Sequence, residues 1–93
     1  MEWRLFADLG DITGTRRLSR EIPDSESYTV RDAVGDLVKE HPALAERLYD
    51  EDEELYSHIN ILKNGEDISN LEGLETPVSA ADELAVFPPV SGG

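Results

Sequence analysis

The sequence contains no cysteine and only eight basic residues, and it has no long apolar run. Without thiols there is no disulfide framework, thiolate zinc site, iron–sulfur cluster or cysteine nucleophile. A membrane-spanning helix needs roughly 20 apolar residues, which no stretch supplies. The start, Met1-Glu2-Trp3-Arg4, lacks the basic segment and apolar run of a secretory signal. We therefore expect a soluble cytoplasmic protein without membrane contact or bound metal.

Acidic residues are the abundant class, since 21 Asp and Glu against 8 Lys and Arg give a net charge of −13. Such a charge repels phosphate backbones, so we expect no nucleic-acid binding. The acidity is either a solvated coat suited to very high salt or a means of steering onto a basic partner. We favour the halophilic coat, because at about 1 M salt the Debye length is only about 3 Å. The halophilic interpretation predicts that the protein loses structure in low salt.

The length of 93 residues fits one domain. About a quarter of the residues are Leu, Ile, Val or Phe, above the roughly 20% below which chains are typically disordered. Residues 1–6 alternate with strand spacing, placing Met1, Trp3 and Leu5 on one face and Glu2, Arg4 and Phe6 on the other. Gly10 and Gly14 punctuate the next stretch. Residues 17–22 alternate in the same way and predict a hairpin partner for the first strand.

A helix is predicted after Thr29, which with Asp32 resembles a capping box. An apolar stripe follows, and the helix should end at His41 because the residue before Pro42 avoids helical geometry. Pro42 can open a second, short helix. Gly35 costs about 1 kcal/mol relative to Ala inside a helix, so we interpret it as allowing close packing.

The second half of the chain predicts a loop and three further strands. The acidic run at 50–54 reads as a loop, residues 58–62 as a buried strand, and 66–68 as a short returning strand after the two-residue turn Asn64-Gly65. Residues 83–87 form the last strand. The order β-β-α-β-(β)-β predicts a helix laid across one face of a mixed sheet.

The C-terminal segment Phe87-Pro88-Pro89-Val90-Ser91-Gly92-Gly93 is the most informative stretch. A strand must end at about Pro88, and the Pro-Pro pair favours an extended chain. The two final glycines leave a thin end that a narrow tunnel can admit. Its carboxylate becomes reactive only when a partner enzyme converts it to an acyl-adenylate with ATP. An amine then gives an amide, and a sulfur donor gives a thiocarboxylate. A frayed terminus is the alternative.

This tail resembles that of the sulfur-carrying small subunit of molybdopterin synthase and, more closely, that of the small archaeal ubiquitin-like modifier proteins. Shorter matches run along the chain: Phe6-Ala7-Asp8-Leu9, Thr29-Val30, His41-Pro42, Ile59-Asn60-Ile61, Asn64-Gly65-Glu66 and Asp82-Glu83-Leu84. The resemblance implies an α+β, ubiquitin-like β-grasp fold, a mixed sheet with one main helix across a face. Residues 1–88 would be the domain and 89–93 a flexible, reactive tail.

The resemblance also implies roles for individual residues. The Gly93 carboxylate would be adenylated by a ubiquitin-activating-type enzyme that uses ATP, with no cofactor bound to this chain. The segment gripped by the partner would comprise Phe87, Pro88, Pro89, Val90, Ser91 and Gly92. Further partners would be target-protein lysines, a separate sulfur donor and the molybdopterin synthase large subunit. Acceptors on the chain itself would be Lys39, Lys63 and the N-terminus.

We thus expect a monomeric modifier and sulfur carrier, acted on by enzymes and not itself one. Two alternatives stay open. The first is a dedicated small subunit of molybdopterin synthase that acts only as a sulfur donor. The second is an acidic, non-covalent interaction domain, for which removal of Gly92 and Gly93 would change nothing.

Overall fold

The structure is a computed structural model that describes residues 1–23, 27–52, 54–56 and 59–88. The strands are β1 (Glu2–Leu5), β2 (Arg17–Ser19), β3 (Asn60–Lys63), β4 (Glu66–Asp67) and β5 (Glu83–Phe87). The α-helices are α1 (Asp8–Thr13), α2 (Val30–Glu40) and α3 (Ala45–Leu48). Short 3₁₀ turns occupy Pro42–Leu44, Ile68–Asn70 and Gly73–Glu75. The predicted α+β class is confirmed.

The five strands form one mixed sheet in the order β2-β1-β5-β3-β4. The first and last strands, β1 and β5, pair in parallel at the centre, with Trp3 opposite Leu84. The other three pairings, β1–β2, β3–β4 and β3–β5, are antiparallel. The C-terminal strand therefore has a neighbour on each side.

The core lies between one face of the sheet and α2. The sheet contributes Trp3, Leu5, Ile61, Leu84 and Val86, all at most 3% exposed. Their α2 partners are Val30, Ala33, Val34 and Leu37. The alternation predicted for residues 1–6 is confirmed, because Trp3 and Leu5 are buried while Glu2, Arg4 and Phe6 are partly exposed on the other face.

Helix α2 begins and ends where the sequence predicts. The Thr29 hydroxyl accepts a hydrogen bond from the Asp32 N–H, while an Asp32 carboxylate oxygen accepts one from the Thr29 N–H at 3.0 Å. Asp32 thus performs the reciprocal role that Glu or Gln usually performs in a capping box. At the other end His41 is the C-cap, and Pro42 opens the next turn.

The turn at Asn64-Gly65 is also confirmed. Both residues have positive φ, 50° and 86° respectively, as a two-residue hairpin turn requires. The described residues of the acidic run, 50–52 and 54, form a loop, as predicted: the Asp50 carboxylate accepts hydrogen bonds from the N–H groups of Asp52 and Glu54, at 2.8 and 3.1 Å.

Three strand boundaries were wrong. The second strand ends at Ser19 instead of residue 22, because its partner β1 runs out at Met1, whose backbone oxygen still accepts from the Arg20 N–H. The strand predicted at 58–62 begins at Asn60 and is buried on one face only, since α2 covers one side of the sheet; His58 lies outside the described residues. Ile68 begins a 3₁₀ turn and does not continue β4.

The structure corrects the interpretation of two glycines, Gly10 and Gly35. Helix α1 is not predicted, since Gly10 and Gly14 only punctuate that stretch of the sequence. Gly10 instead allows α1 to approach the residue that precedes β2, because a Cβ would lie 2.9 Å from Arg16 Cγ. The close packing expected at Gly35 is wrong: a Cβ there would meet no described atom within 4 Å. Its helix cost of about 1 kcal/mol is not offset by any contact within the described chain.

No helix in the described residues is long and apolar enough to cross a bilayer.

Replacing Thr29 with Ala should lower the free energy of unfolding by about 1 kcal/mol, because the Asp32 N–H loses its acceptor. Urea denaturation in concentrated potassium chloride measures the change. Thr29→Ser, which keeps the hydroxyl, is the matched control and should stay within about 0.5 kcal/mol of the wild-type value. Equal losses in the two variants would contradict the capping role.

Candidate functional site

The candidate site begins where β5 ends. Phe87 is the last strand residue and Pro88 follows it, so the predicted end of the strand at Pro88 is confirmed. We call Phe87 and Pro88 the tail root. Pro88 is buried and Phe87 partly exposed, so Phe87 offers more of its surface to a partner. The rest of the predicted site, Pro89, Val90, Ser91, Gly92 and Gly93, lies outside the described residues.

An aromatic stack holds the tail root to the first strand. The rings of Phe87 and Phe6 have centroids 4.2 Å apart and planes within 14° of parallel. The Phe6 N–H donates to the Val86 carbonyl at 3.3 Å, which extends the pairing between the two strands. The Arg4 guanidinium lies 5.5 Å from the Phe6 ring centre, within the range of a cation–π contact. Such aromatic pairs contribute about 0.5–1.5 kcal/mol beyond their buried area.

Phe87 lies on the sheet face opposite α2, which we call the open face. One row of residues crosses this face from strand to strand, and the pairing register gives its members in order: Arg17, Arg4, Ala85, Leu62 and Asp67. Phe6, Phe87 and Asn60 lie beside this row at the end where the tail leaves the sheet. The open face is therefore apolar at its centre and basic toward β2.

A cleft of about 470 Å³ adjoins Phe6 at this basic edge. Its lining includes Arg4, Arg16 and Arg17, although the whole chain has only eight basic residues. Arg4 lies 3.9 Å from Glu83 and Arg17 3.4 Å from Glu2, but these pairs are exposed and contribute little. In a chain of net charge −13, the cleft is a local concentration of guanidinium groups.

Ala7, which also lines the cleft, has φ 55° and ψ −137°. An L-residue other than glycine rarely adopts such a conformation, which costs of order 1–3 kcal/mol. This kink turns the chain from β1 into α1 immediately after Phe6. Backbone strain is thus located beside the tail root, where the rest of the fold holds it in place.

The two predicted acceptor lysines lie in different surroundings. The Lys63 amine donates to the Pro77 carbonyl at 2.8 Å and lies 3.6 Å from an Asp82 carboxylate oxygen. Lys39 is exposed on α2 and forms no ion pair with another described residue. The Lys39 amine is therefore the more accessible of the two.

Asp82 joins the Asn64 turn to the start of β5. Its carboxylate accepts from the Ser79 N–H at 2.7 Å and from the Asn64 amide at 2.9 Å. Burial alone would raise the pKa of Asp82, but these hydrogen bonds and the Lys63 charge together lower it. The contribution of Asp82 to stability is therefore present above its ordinary pKa and is lost as the pH falls through the lowered value.

Of the open-face residues, the sequence assigns Phe87 to the site but not Arg4, Phe6 or Arg17. The alternation of β1 had already placed Arg4 and Phe6 on its second face, but their meeting with Phe87 depends on the parallel register of β1 and β5. The distribution of basic residues along the sequence is a second signal for this surface, because half of them fall between positions 4 and 20.

Comparison with known proteins agrees with this geometry. Residues 3–93 match the ThiS family. The chain belongs to this family. It is 50% identical to small archaeal modifier protein 1 of Haloferax volcanii over 93 residues, which cover 100% of both chains. A crystal structure of SAMP1 from Haloferax volcanii superposes with a TM-score of 0.86 and 48% identity, covering 100% of this chain and 98% of the other.

Two further matches have names that mention a sulfur carrier or a protein complex. A putative sulfur carrier protein of Archaeoglobus fulgidus is 36% identical over 70 residues, 75% of this chain and 80% of the relative. The crystal structure of the BexX/CysO complex of Amycolatopsis orientalis contains a chain that superposes with a TM-score of 0.78 and 29% identity. The match covers 99% of this chain and 98% of the other.

The predictions of a ubiquitin-like β-grasp fold and of a modifier and sulfur-carrier protein are confirmed by these comparisons. So is the prediction that the chain is a carrier on which partner enzymes act, and not itself an enzyme. A halophilic origin of the acidity fits the Haloferax relatives.

Lys39 should react with an amine-directed acetylating reagent about five- to ten-fold faster than Lys63, because the Lys63 amine must first break a charge-assisted hydrogen bond. Initial rates are measured by peptide mass spectrometry at fixed salt and pH. The variant Asp82→Asn should speed acetylation of Lys63 and leave Lys39 unchanged. Equal acetylation rates of Lys39 and Lys63 in the wild type would contradict the predicted difference in accessibility.

Proposed function

We propose that the chain end performs the chemistry and that the folded domain presents it to partner enzymes in the cytoplasm. The Gly93 carboxylate attacks the α-phosphorus of ATP on a ubiquitin-activating-type enzyme, forming an acyl-adenylate and releasing pyrophosphate. The amine of a target lysine, or hydrosulfide released by a separate sulfur donor, then attacks the activated carbonyl, and AMP leaves. The products are an amide bond to the target or a thiocarboxylate. Residues 1–88 act as the domain and 89–93 as the tail.

The observation that carries this proposal is the position of β5. It is the central strand of the sheet and the last strand in the sequence, and β1 and β3 flank it. A tail that leaves a strand held on both sides starts from a fixed point and direction. The five residues that follow Pro88 can reach roughly 16 Å at about 3.3 Å each, enough to enter the active site of a partner.

The open face supplies the surface that the activating enzyme recognises. Phe6 and Phe87 form an aromatic contact beside the tail, and aromatic side chains are enriched where proteins bind one another. The arginines of the neighbouring cleft would meet acidic groups on the enzyme. We infer that this surface positions the enzyme and that the tail, comprising Pro89, Val90, Ser91, Gly92 and Gly93, enters its active site.

A second use of the same adenylate is supported by the Archaeoglobus relative, which is named a putative sulfur carrier protein. In that case the thiocarboxylate serves sulfur transfer alone, with the molybdopterin synthase large subunit as the partner. Conjugation and sulfur transfer begin from the same activated carboxyl, so both can occur in one cell. Lysine-linked conjugates would show the first, and pterin deficiency on deletion without conjugates would show the second alone.

Incubation with ATP and an active host extract should yield either a mass increase equal to an oxygen-to-sulfur exchange or a branched peptide joining Gly93 to a lysine. Deletion of Gly92 and Gly93 should abolish both products, because the reactive carboxyl and its spacer are lost. Intact-mass and peptide mass spectrometry measure them. A chain that carries a C-terminal amide is the matched control and should be equally inert.

The acidic-domain alternative is tested in the same extract. Neutralising the acidic loop through Glu51→Gln, Asp52→Asn and Glu54→Gln leaves the chain end intact and should leave product formation unchanged. Loss of products in this variant, or their persistence after removal of the glycines, would overturn the proposal.

Recognition through the open face predicts a specific kinetic change. Phe6→Ala or Arg17→Glu should raise the KM of the carrier in ATP–pyrophosphate exchange by about ten-fold and leave kcat unchanged, because binding is lost but the tail is not. Lys39→Glu, a charge reversal on α2, is the control and should leave both constants unchanged. A fall in kcat with constant KM would place Phe6 and Arg17 outside the recognition surface.

A further inference from the structure

A second concave surface lies on the helix side of the molecule, away from the open face. Between α2, α3 and the segment after α3 there is a cavity of about 890 Å³, which we call the helix-side groove. Apolar groups dominate its lining, notably Val38, Tyr49, Leu55 and Leu74, with Gly35 among them. These four side chains are only partly buried by the chain itself.

Gly35 is the distinctive residue of the groove. Glycine carries a conformational cost inside a helix. A close approach of neighbouring atoms, as at Gly10, is one reason for a helix to contain it. No described atom lies within 4 Å of a Cβ placed at Gly35, and its backbone does not need the left-handed conformation. The described chain makes no close approach at Gly35, so the helix surface there is open space that the backbone of a partner can reach.

The charges around the groove indicate what that molecule carries. Glu46, Asp50 and Glu51 line the groove. The one basic residue of the lining, Arg31, is already paired with Glu75 at 2.9 Å. Asp50 is held in place by the two backbone N–H groups that its carboxylate accepts. The groove thus combines an apolar floor with a fixed acidic rim.

We propose that the helix-side groove binds a segment of a partner protein that carries apolar side chains flanked by Lys or Arg. The apolar side chains cover Val38 and Leu55, the segment lies against Gly35, and its cations meet the acidic rim. A second copy of this chain is a separate outcome of the test below, since a net charge of −13 disfavours self-association only where salt does not screen it. This inference does not depend on the chemistry of the chain end.

The test uses the full chain and defined synthetic peptides in place of the unidentified partner. A helical peptide of leucine and lysine with an amphipathic pattern is titrated into ¹⁵N-labelled protein in concentrated potassium chloride. We expect amide shifts at Gly35, Val38 and Leu55. The same peptide with glutamate in place of lysine should bind at least about ten-fold more weakly. Equal binding of the two peptides would overturn the assignment of a basic partner.

Two pairs of variants separate the groove from the rest of the surface. Gly35→Leu fills the groove and should weaken binding of the leucine–lysine peptide by about ten-fold or more. Ala43→Leu adds the same side chain at an exposed position outside the groove and should not. Glu46→Lys should also weaken binding, whereas Asp11→Lys, an equal charge change on exposed α1, should have a much smaller effect.

The folded state of each variant is checked by circular dichroism and thermal unfolding. Gly35→Leu should raise the melting temperature, since leucine is the better helix former and its Cβ would meet no described atom within 4 Å. A lowered melting temperature would show that Gly35 is needed for folding and would overturn the argument. The proposal would also be overturned if Gly35→Leu bound the leucine–lysine peptide as tightly as the wild type, or if the peptide shifted only the amides of Phe6 and Phe87. Shifts at Gly35 on raising the protein concentration without peptide would identify a second copy as the occupant.

Discussion

The placement of β5 between β1 and β3 is the constraint on which the rest of the molecule depends. Leu84 and Val86 face α2 and are at most 1% exposed, so the strand is also part of the core. Because β1 is the first strand and pairs with β5 in parallel, the two ends of the sequence are joined in the middle of the sheet. The chain end is thus attached to the most extensively paired element of the fold, and its starting point moves only if the sheet does.

Strand alternation then gives the sheet two different uses. On one face Trp3 and Leu5 complete the core. On the other, Arg4 and Phe6 are available to a partner, beside the strand from which the tail leaves. A one-residue slip of β1 against β5 would expose Trp3 and bury Arg4. The energy of core formation therefore also fixes the composition of the open face, and the surface beside the tail requires no separate stabilising element.

Local signals made much of the fold predictable, and they failed where an element depends on contacts distant in sequence. The Thr29 cap, the turn at Asn64 and the end of β5 at Pro88 are set by neighbouring residues, and all three were found from the sequence. Helix α1 is a different failure: glycine at position 10 disfavours a helix by propensity, and its approach to Arg16, six residues away, follows no periodic pattern in the sequence. Of the site, the tail was recognised from its own residues. The stack of Phe6 on Phe87 could not be, because it requires the parallel register.

The contrast between Gly10 and Gly35 shows how structure changes the meaning of one residue type. Both occupy helices, and both carry the same conformational cost. At Gly10 the cost is offset inside the chain, where a side chain would collide with Arg16. At Gly35 the described chain offers no such contact, and the helix faces a groove with an acidic rim. The groove lies among the helices and the tail leaves the sheet beside the open face, so a partner in the groove leaves the open face accessible. A carrier built in this way can be held by one protein while its chain end is processed by another.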